Sequence, residues 1–158
     1  MTRAIAFILV NFLGLAAFAA DGSTEEGTLL ERWEADRTQV FDAAEVSLDD
    51  LKWLARPLVV FANSSADPAF IEQMELLTEG SNELEVRDVI LITDTSPDAR
   101  SELRTKLRPR GFQLTLIGKD GGVKLRKPFP WDVRELSRQI DKMPIRQQEI
   151  RDSLRAAE

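Results

Sequence analysis

Residues 58–62 are Leu-Val-Val-Phe-Ala, an apolar run with β-branched residues at its centre. Such a run is typical of a strand that is buried on both faces of a sheet. A polar loop follows at residues 63–66, and Asp67 and Pro68 then supply a helix N-cap and a proline at the first helical position. This order of strand, loop and helix predicts a parallel crossover at the centre of an α/β fold.

Two short elements are predicted before this strand. Residues 38–41 are a brief strand candidate. Ser47, followed by Asp50 at the third helical position, resembles a capped helix start and predicts a short helix that ends by Leu54. The helix cannot continue into Pro57, because the residue before a proline is pushed out of the helical region.

After the central strand, the apolar pattern alternates between helical and extended periods and then ends in an antiparallel hairpin. A helix is predicted from Pro68; it buries Ile71, Met74 and Leu77 and bends at Gly80. A strand at 89–92 follows, and then a helix from Ser96 that carries Leu103 and Leu107. The last predicted elements are a hairpin at 112–126 that turns at Asp120-Gly121 and a helix at 133–143 that stops at Pro144.

The N-terminus has the pattern of an export signal. Arg3 precedes an apolar stretch at 4–20, and Ala17 and Ala19 suit cleavage by a signal peptidase. The alternative is an uncleaved membrane anchor, for which about 17 apolar residues is at the bottom of the spanning range. We therefore expect residues 1–19 to be a signal peptide and the protein to be periplasmic or secreted. Cleavage removes only one charge, so the net charge of −6 becomes −7.

The chain contains no cysteine and no histidine. Their absence excludes thiol, imidazole and soft-metal chemistry. We expect neither a cofactor nor a metal site, and we assign no catalytic residue. With 43% hydrophobic and 30% charged residues, the composition is that of one ordinary globular core.

The predicted element order resembles the thioredoxin fold over residues 38–144. That resemblance implies an α/β three-layer sandwich with a mixed sheet of four or five strands and a C-terminal β-hairpin and helix. On either side of this domain we expect an acidic linker or docking segment at 20–37 and a charged C-terminal tail at 145–158.

Three segments are more closely similar to a family of exported bacterial proteins called domain of unknown function 4174. These segments are residues 56–62, 118–126 and 140–147. The resemblance implies a thioredoxin-like domain without redox cysteines, and it implies no particular activity. Where thioredoxins carry their cysteines, the loop at 63–69 offers only Ser64 and Ser65, whose hydroxyls cannot form a disulfide. Dithiol oxidoreductase activity is therefore excluded.

Ser64 and Ser65 also lie next to a predicted helix N-terminus, where backbone N–H groups bind anions or an oxyanion. A serine nucleophile needs a base, and no spacing in the sequence pairs a lysine with this loop. The alternative is a hydrogen-bonded turn in which Asp67 caps the helix.

The charges are strongly segregated along the chain. Residues 104–127 contain eight basic residues and one acid, whereas residues 21–50 contain ten acids and two arginines. Lys124 and Arg126 should share one face of the second hairpin strand, and Lys119 lies near its turn. This basic ridge is predicted to bind a partner rich in phosphate or carboxylate, or the protein's own acidic N-terminal segment. The alternative is that these side chains protect a sheet edge from aggregation.

Our preferred interpretation is a non-catalytic periplasmic binding or scaffold domain that contacts its ligand through the hairpin edge and the 63–69 loop. One alternative is an enzyme of unassigned class that uses Ser64 or Ser65. Another is an envelope-surface protein held near anionic head groups by the basic hairpin edge. We expect an anionic periplasmic protein or ligand as the partner. Nucleic acid is not expected because the net charge is negative, and membrane contact is expected only through an uncleaved signal or a weak surface contact.

Overall fold

The computed structural model describes residues 27–158, so the predicted signal peptide at 1–19 lies outside the described part of the chain. Five strands form one mixed sheet. They are β1 (Val40–Asp42), β2 (Arg56–Phe61), β3 (Val89–Asp94), β4 (Gln113–Ile117) and β5 (Val123–Lys127). Their order across the sheet is β1-β3-β2-β4-β5.

Strand β2 joins the parallel and antiparallel halves of the sheet. Its Leu58 lies opposite Leu91 of the parallel strand β3 and opposite Leu116 of the antiparallel strand β4. Strand β1 extends the parallel half, and β5 is the outer strand of the antiparallel half. The predicted buried central strand and closing hairpin are thus confirmed.

Within the described residues, six α-helices surround the sheet. They are α1 (Leu29–Ala35), α2 (Pro68–Glu79), α3 (Ser81–Glu85), α4 (Glu102–Leu107), α5 (Val133–Asp141) and α6 (Pro144–Ala156). The predicted cap of α2 is present, since the Asp67 carboxylate accepts the Ala69 N–H at 2.9 Å. Gly80 separates α2 from α3, at the predicted bend. Within residues 27–158, no helix combines the length and apolar character needed to cross a membrane.

The two faces of the sheet carry separate apolar cores. Alternate side chains of β2 point to opposite faces, so Val59 and Phe61 enter one core while Leu58 and Val60 enter the other. Helices α1 and α4 cover the first core, and α2, α3 and α5 cover the second. The result is the predicted three-layer sandwich.

The helix predicted from Ser47 is wrong, because residues 48–54 form a series of turns. Trp53 adopts a left-handed backbone conformation with φ of 66°. Its N–H donates to the carbonyl of Lys119 at 2.7 Å, in the turn between β4 and β5. This contact with a distant segment replaces the helical hydrogen bond that local propensity favours.

The predicted buried face of α2 is partly wrong. Leu77 is fully buried, but Ile71 is 46% exposed. Gln73 is buried instead, because its amide makes two hydrogen bonds with the backbone of Trp131. Its Nε2 donates to the Trp131 carbonyl at 3.0 Å, and its Oε1 accepts the Trp131 N–H at 2.8 Å. These bonds satisfy the amide in the interior.

The helix predicted from Ser96 begins later than expected. A single 3-10 turn at Pro97–Ala99 comes first, and Arg100 is left-handed with φ of 47°. Ser101 then caps α4, since its hydroxyl accepts the Arg104 N–H at 3.0 Å. Because the left-handed Arg100 ends the 3-10 turn, Ser101 and not Ser96 caps the helix.

Candidate functional site

The loop at 63–67 lies at the carboxyl end of β2. Ser64 and Ser65 are exposed there. The Ser64 hydroxyl accepts the N–H of Ala66 at 3.1 Å, and Asp67 caps α2. These are the bonds of a closed turn followed by a helix cap, which is the alternative that the sequence left open for these residues.

Beside this loop, an ion pair that sequence reasoning missed joins β3 to α4. Arg104 Nη2 lies 2.7 Å from Asp94 Oδ1 and also donates to the Ala62 carbonyl at 3.0 Å. The Ser101 hydroxyl donates to the other oxygen of Asp94 at 2.5 Å. Burial alone would raise the pKa of Asp94, but the bonds from Arg104 and Ser101 outweigh it and lower that pKa. The pair therefore holds the strand ends together as a fixed charge network.

No group of three or more acidic side chains within residues 27–158 is arranged to hold a metal ion. Asp94 is already occupied by Arg104 and Ser101. The described part of the chain thus offers charge pairing rather than metal ligands at this edge of the sheet.

The three basic residues predicted as one binding ridge occupy three different environments. Lys119 is largely buried, with its side chain 11% exposed. Lys124 pairs with Asp120 at 2.6 Å, inside the hairpin turn. Arg126 is exposed and donates to the carbonyl of Leu107 at 2.6 Å, at the end of α4. The structure therefore separates Lys119 from Arg126.

Arg126 belongs instead to a group of exposed cations on α4, β5 and the segment between α4 and β4. We call this group the basic face, and its members are Lys106, Arg108, Arg110 and Arg126. No carboxylate of residues 27–158 lies within salt-bridge distance of any of the four. The pKa of Asp49 is lowered first by the hydrogen bond and charge of Lys52 and more weakly by the charge of Lys106.

The described part of the acidic N-terminal segment forms no ion pair with the basic face. Glu31 bonds to Thr28 and Glu45 to Arg32, within the segment itself. Arg32 also stacks on Phe41 of β1, at 5.2 Å from the ring centre. Neither Glu31 nor Glu45 forms an ion pair with a member of the basic face.

A second cluster of charges lies at the amino end of β2. Arg56, the first residue of β2, is 1% exposed. It donates to the Arg87 carbonyl at 2.7 Å and to the Glu149 carboxylate at 2.9 Å. Lys119 Nζ lies 2.9 Å from the same carboxylate oxygen and 2.7 Å from Asp88. We call this group, together with Arg37, Asp141 and Arg146, the amino-end cluster.

The remaining contacts of the amino-end cluster tie α5 and α6 to the sheet. Arg87 binds Asp141 through two nitrogens, at 2.8 and 3.0 Å. Arg146 lies 3.3 Å from Glu149. Burial acts to raise the pKa of Glu149, but Lys119 and Arg56 outweigh it and lower that pKa. Sequence reasoning missed both Arg56 and Glu149. The signal available for Arg56 was its position as a charged residue directly before the apolar run of the central strand.

The sheet order and the two helical layers place this protein in the class of thioredoxin-like α/β domains. Plasmodium yoelii Prx1a modified at its N-terminus matches with a TM-score of 0.51 and 17% identity, over 66% of this chain and 82% of that chain. Plasmodium yoelii thioredoxin peroxidase I matches with a TM-score of 0.51 and 17% identity, over 66% and 81%. At this identity the two structures show a shared fold alone.

This chain belongs to the family described as Domain of unknown function (DUF4174), whose model matches residues 47–149. The family resemblance inferred from the sequence is therefore confirmed. No curated protein matches the chain. The matched range includes all three segments that carry the resemblance, and they contribute Arg56, Lys119, Asp141 and Arg146 to the amino-end cluster.

Proposed function

We propose that this chain is an exported, non-catalytic thioredoxin-like domain that binds an acidic protein partner through its basic face. The observation that carries the proposal is the concentration of exposed cations on α4, β5 and the segment between α4 and β4 that have no carboxylate partner among residues 27–158. The chain as a whole is acidic, with a net charge of −6. Its positive charge is therefore localised, as in surfaces that orient a charged partner.

The geometry of the basic face supports a protein partner. The bond of Arg126 to the Leu107 carbonyl holds its guanidinium at the end of α4. Guanidinium groups bind carboxylates through paired donors, and fixing one in advance reduces the entropy lost on binding. A nucleic acid would meet the repulsion of the acidic remainder of the chain.

The proposal that the domain is non-catalytic is supported by the 63–67 loop. The chain has no cysteine or histidine, and the Ser64 hydroxyl accepts a backbone N–H within the turn. We expect the double variant Ser64→Ala with Ser65→Ala to bind the partner as the parent protein does. A turnover that this variant loses would instead support an enzyme that uses these serines.

The first experiment tests export. Fractionation of the source cells, followed by N-terminal sequencing, should recover the protein outside the inner membrane with Ala20 as its first residue. Recovery in the cytosol with Met1 or Thr2 at the N-terminus would contradict export.

The second experiment tests the basic face. The variant Lys106→Glu with Arg110→Glu should bind a glutamate-rich peptide, and partners captured from a periplasmic extract, about tenfold or more weakly. Its control is Arg134→Glu with Arg151→Glu, which makes the same charge change at two exposed arginines elsewhere. Equal weakening in both variants would show that only net charge matters. Binding to anionic vesicles but not to the peptide would favour the envelope-surface alternative.

A further inference from the structure

A small cavity of about 140 Å³ opens between the start of β2, the β4–β5 turn and the first residues of α6. Arg56, Lys119 and Lys124 contribute the cations of its lining. Pro144 and Ile145, the first residues of α6, close another side. The cavity is thus formed by strand, hairpin and helix segments that are far apart in sequence.

Arg56 has a donor that the protein does not use. Its Nη1 and Nη2 are bonded to Arg87 and Glu149, but its buried Nε has no hydrogen-bond partner among the described residues. The buried Nε of Arg146, in the first turn of α6, makes no hydrogen bond within that part of the chain, and it lies 3.6 Å from the Asp141 carboxylate. Leaving a charged group's N–H buried without an acceptor is costly. The Arg56 Nε, on a residue that lines the cavity, therefore indicates a missing acceptor.

The N-terminus of α6 adds backbone donors to the same place. This helix has 13 residues, and its N-cap, Met143, makes no side-chain hydrogen bond. The first intrahelical bond at this end is from the Gln147 N–H to the Met143 carbonyl, at 3.0 Å. The N–H groups of Ile145 and Arg146 precede it, at the positive end of the helix dipole. Uncapped helix N-termini of this kind bind oxyanions.

The charges around the cavity favour an anion as well. Basic side chains outnumber carboxylates in the combined set formed by the amino-end cluster and the Lys124–Asp120 pair. The basic members are Arg37, Arg56, Arg87, Lys119, Lys124 and Arg146, and the acidic members are Asp88, Asp120, Asp141 and Glu149. A dianion would neutralise this surplus.

We infer that the cavity binds a small tetrahedral oxyanion of the phosphate or sulfate type. Its volume corresponds to roughly four or five water molecules, which accommodates one such ion and excludes a nucleotide. The Arg56 Nε, the Lys124 ammonium and the first N–H groups of α6 supply the donors. This site goes beyond the proposed function, because the basic face is built from α4 and β5 side chains that do not line the cavity.

The experiment is a titration of the chain from residue 20 to 158 with inorganic phosphate and with sulfate, using chloride at matched ionic strength as the control. Calorimetry should show one saturable site, and the melting temperature should rise with phosphate concentration. The amide signals of Ile145 and Arg146 should shift more than those of Arg108 and Arg110. No saturable binding at about 10 mM phosphate would overturn the inference.

Two variants locate the site. Lys124→Gln should weaken phosphate binding about tenfold or more, whereas Arg126→Gln, on the same strand but bonded to the end of α4, should leave it unchanged. Met143→Asp places a carboxylate cap on α6 and should abolish phosphate binding in a protein that still unfolds cooperatively. Equal effects of Lys124→Gln and Arg126→Gln, or unchanged binding in Met143→Asp, would overturn the inference.

A parallel titration with glycerol 3-phosphate distinguishes the source of the oxyanion. Tighter binding than inorganic phosphate identifies a phosphate ester, and weaker binding identifies the free ion. Either order supports the oxyanion site. The variant Lys106→Glu with Arg110→Glu should lose peptide binding and keep phosphate binding. The proposal for the basic face and the proposal for the cavity can therefore fail independently of each other.

Discussion

Arg56 Nη2 lies 2.9 Å from Glu149 Oε1, which joins the first residue of the central strand to a helix 93 positions later in the chain. Helix α6 has no fully buried side chain. Its attachment to the sheet therefore depends on ion pairs, chiefly those of Glu149 with Arg56 and Lys119, more than on apolar burial.

Glu149→Gln should lower the free energy of unfolding by about 2 kcal/mol, because Arg56 would keep its buried charge without a carboxylate. Urea denaturation measures this change. The control is Asp152→Asn, an exposed change on the same helix, which should cost less than about 0.5 kcal/mol. Equal losses in the two variants would contradict an anchoring role for Glu149.

Gly80→Ala should destabilise the protein by about 1–3 kcal/mol through overpacking. A Cβ at this position would lie 2.6 Å from Val133 Cγ1, at the contact of α5 with the α2–α3 junction. The backbone φ of −98° is ordinary, so the cost is steric. In a double-mutant cycle, Val133→Ala should cost less in the Gly80→Ala background than alone. If the stability losses of Gly80→Ala and Val133→Ala simply add, a steric clash between these two positions is not the cause.

Gln73→Leu should cost about 2–3 kcal/mol although the side chains are similar in size. The substitution leaves both the N–H and the carbonyl of Trp131 without their partners. Hydrogen exchange at the Trp131 amide should accelerate together with the loss of stability. Gln139→Leu, at an exposed position of α5, serves as the control and should have little effect.

Acidification should destabilise the protein, whereas a change of pH near neutrality should not alter its stability. For Asp88, Asp94 and Glu149, burial acts to raise the pKa, but bonds from lysine, arginine and serine outweigh it and lower each pKa below 3.8 or 4.5. A carboxylate whose pKa is lower in the folded state stabilises the fold above its unfolded pKa. That contribution disappears as the pH falls through the folded pKa.

The free energy of unfolding should therefore be nearly constant between about pH 6 and 8, where a chain without histidine has few groups to titrate. It should fall below about pH 4.5. Chemical denaturation across this range measures the profile. Asp94→Asn should be less stable at neutral pH and should lose less on acidification. A parallel profile for this variant would show that Asp94 does not contribute to acid sensitivity.

Much of the fold was predictable from short stretches of sequence. The apolar run at 58–62, the Asp67-Pro68 helix start and the Asp120-Gly121 turn each specify their structure within a few residues. The error at 48–54 has a physical cause. There the Trp53 N–H bonds to Lys119, which local sequence does not reveal.

The candidate sites were less predictable than the fold. The concentration of positive charge was visible in the sequence, but its division between the basic face and the amino-end cluster was not. Lys119 and Arg126 are close in sequence, yet one faces partly buried carboxylates and the other the end of α4. The bulge in the register between β4 and β5 lies between them.

The sequence by itself determined the order of the five strands, the exclusion of thiol chemistry and the segregation of charge. These properties depend on residue identity and on periodicities of two to four residues. Only the tertiary structure decided which charges are free and which are paired. The acceptor of a buried guanidinium such as that of Arg56 lies on a segment that chain folding, and not local preference, brings within hydrogen-bond distance.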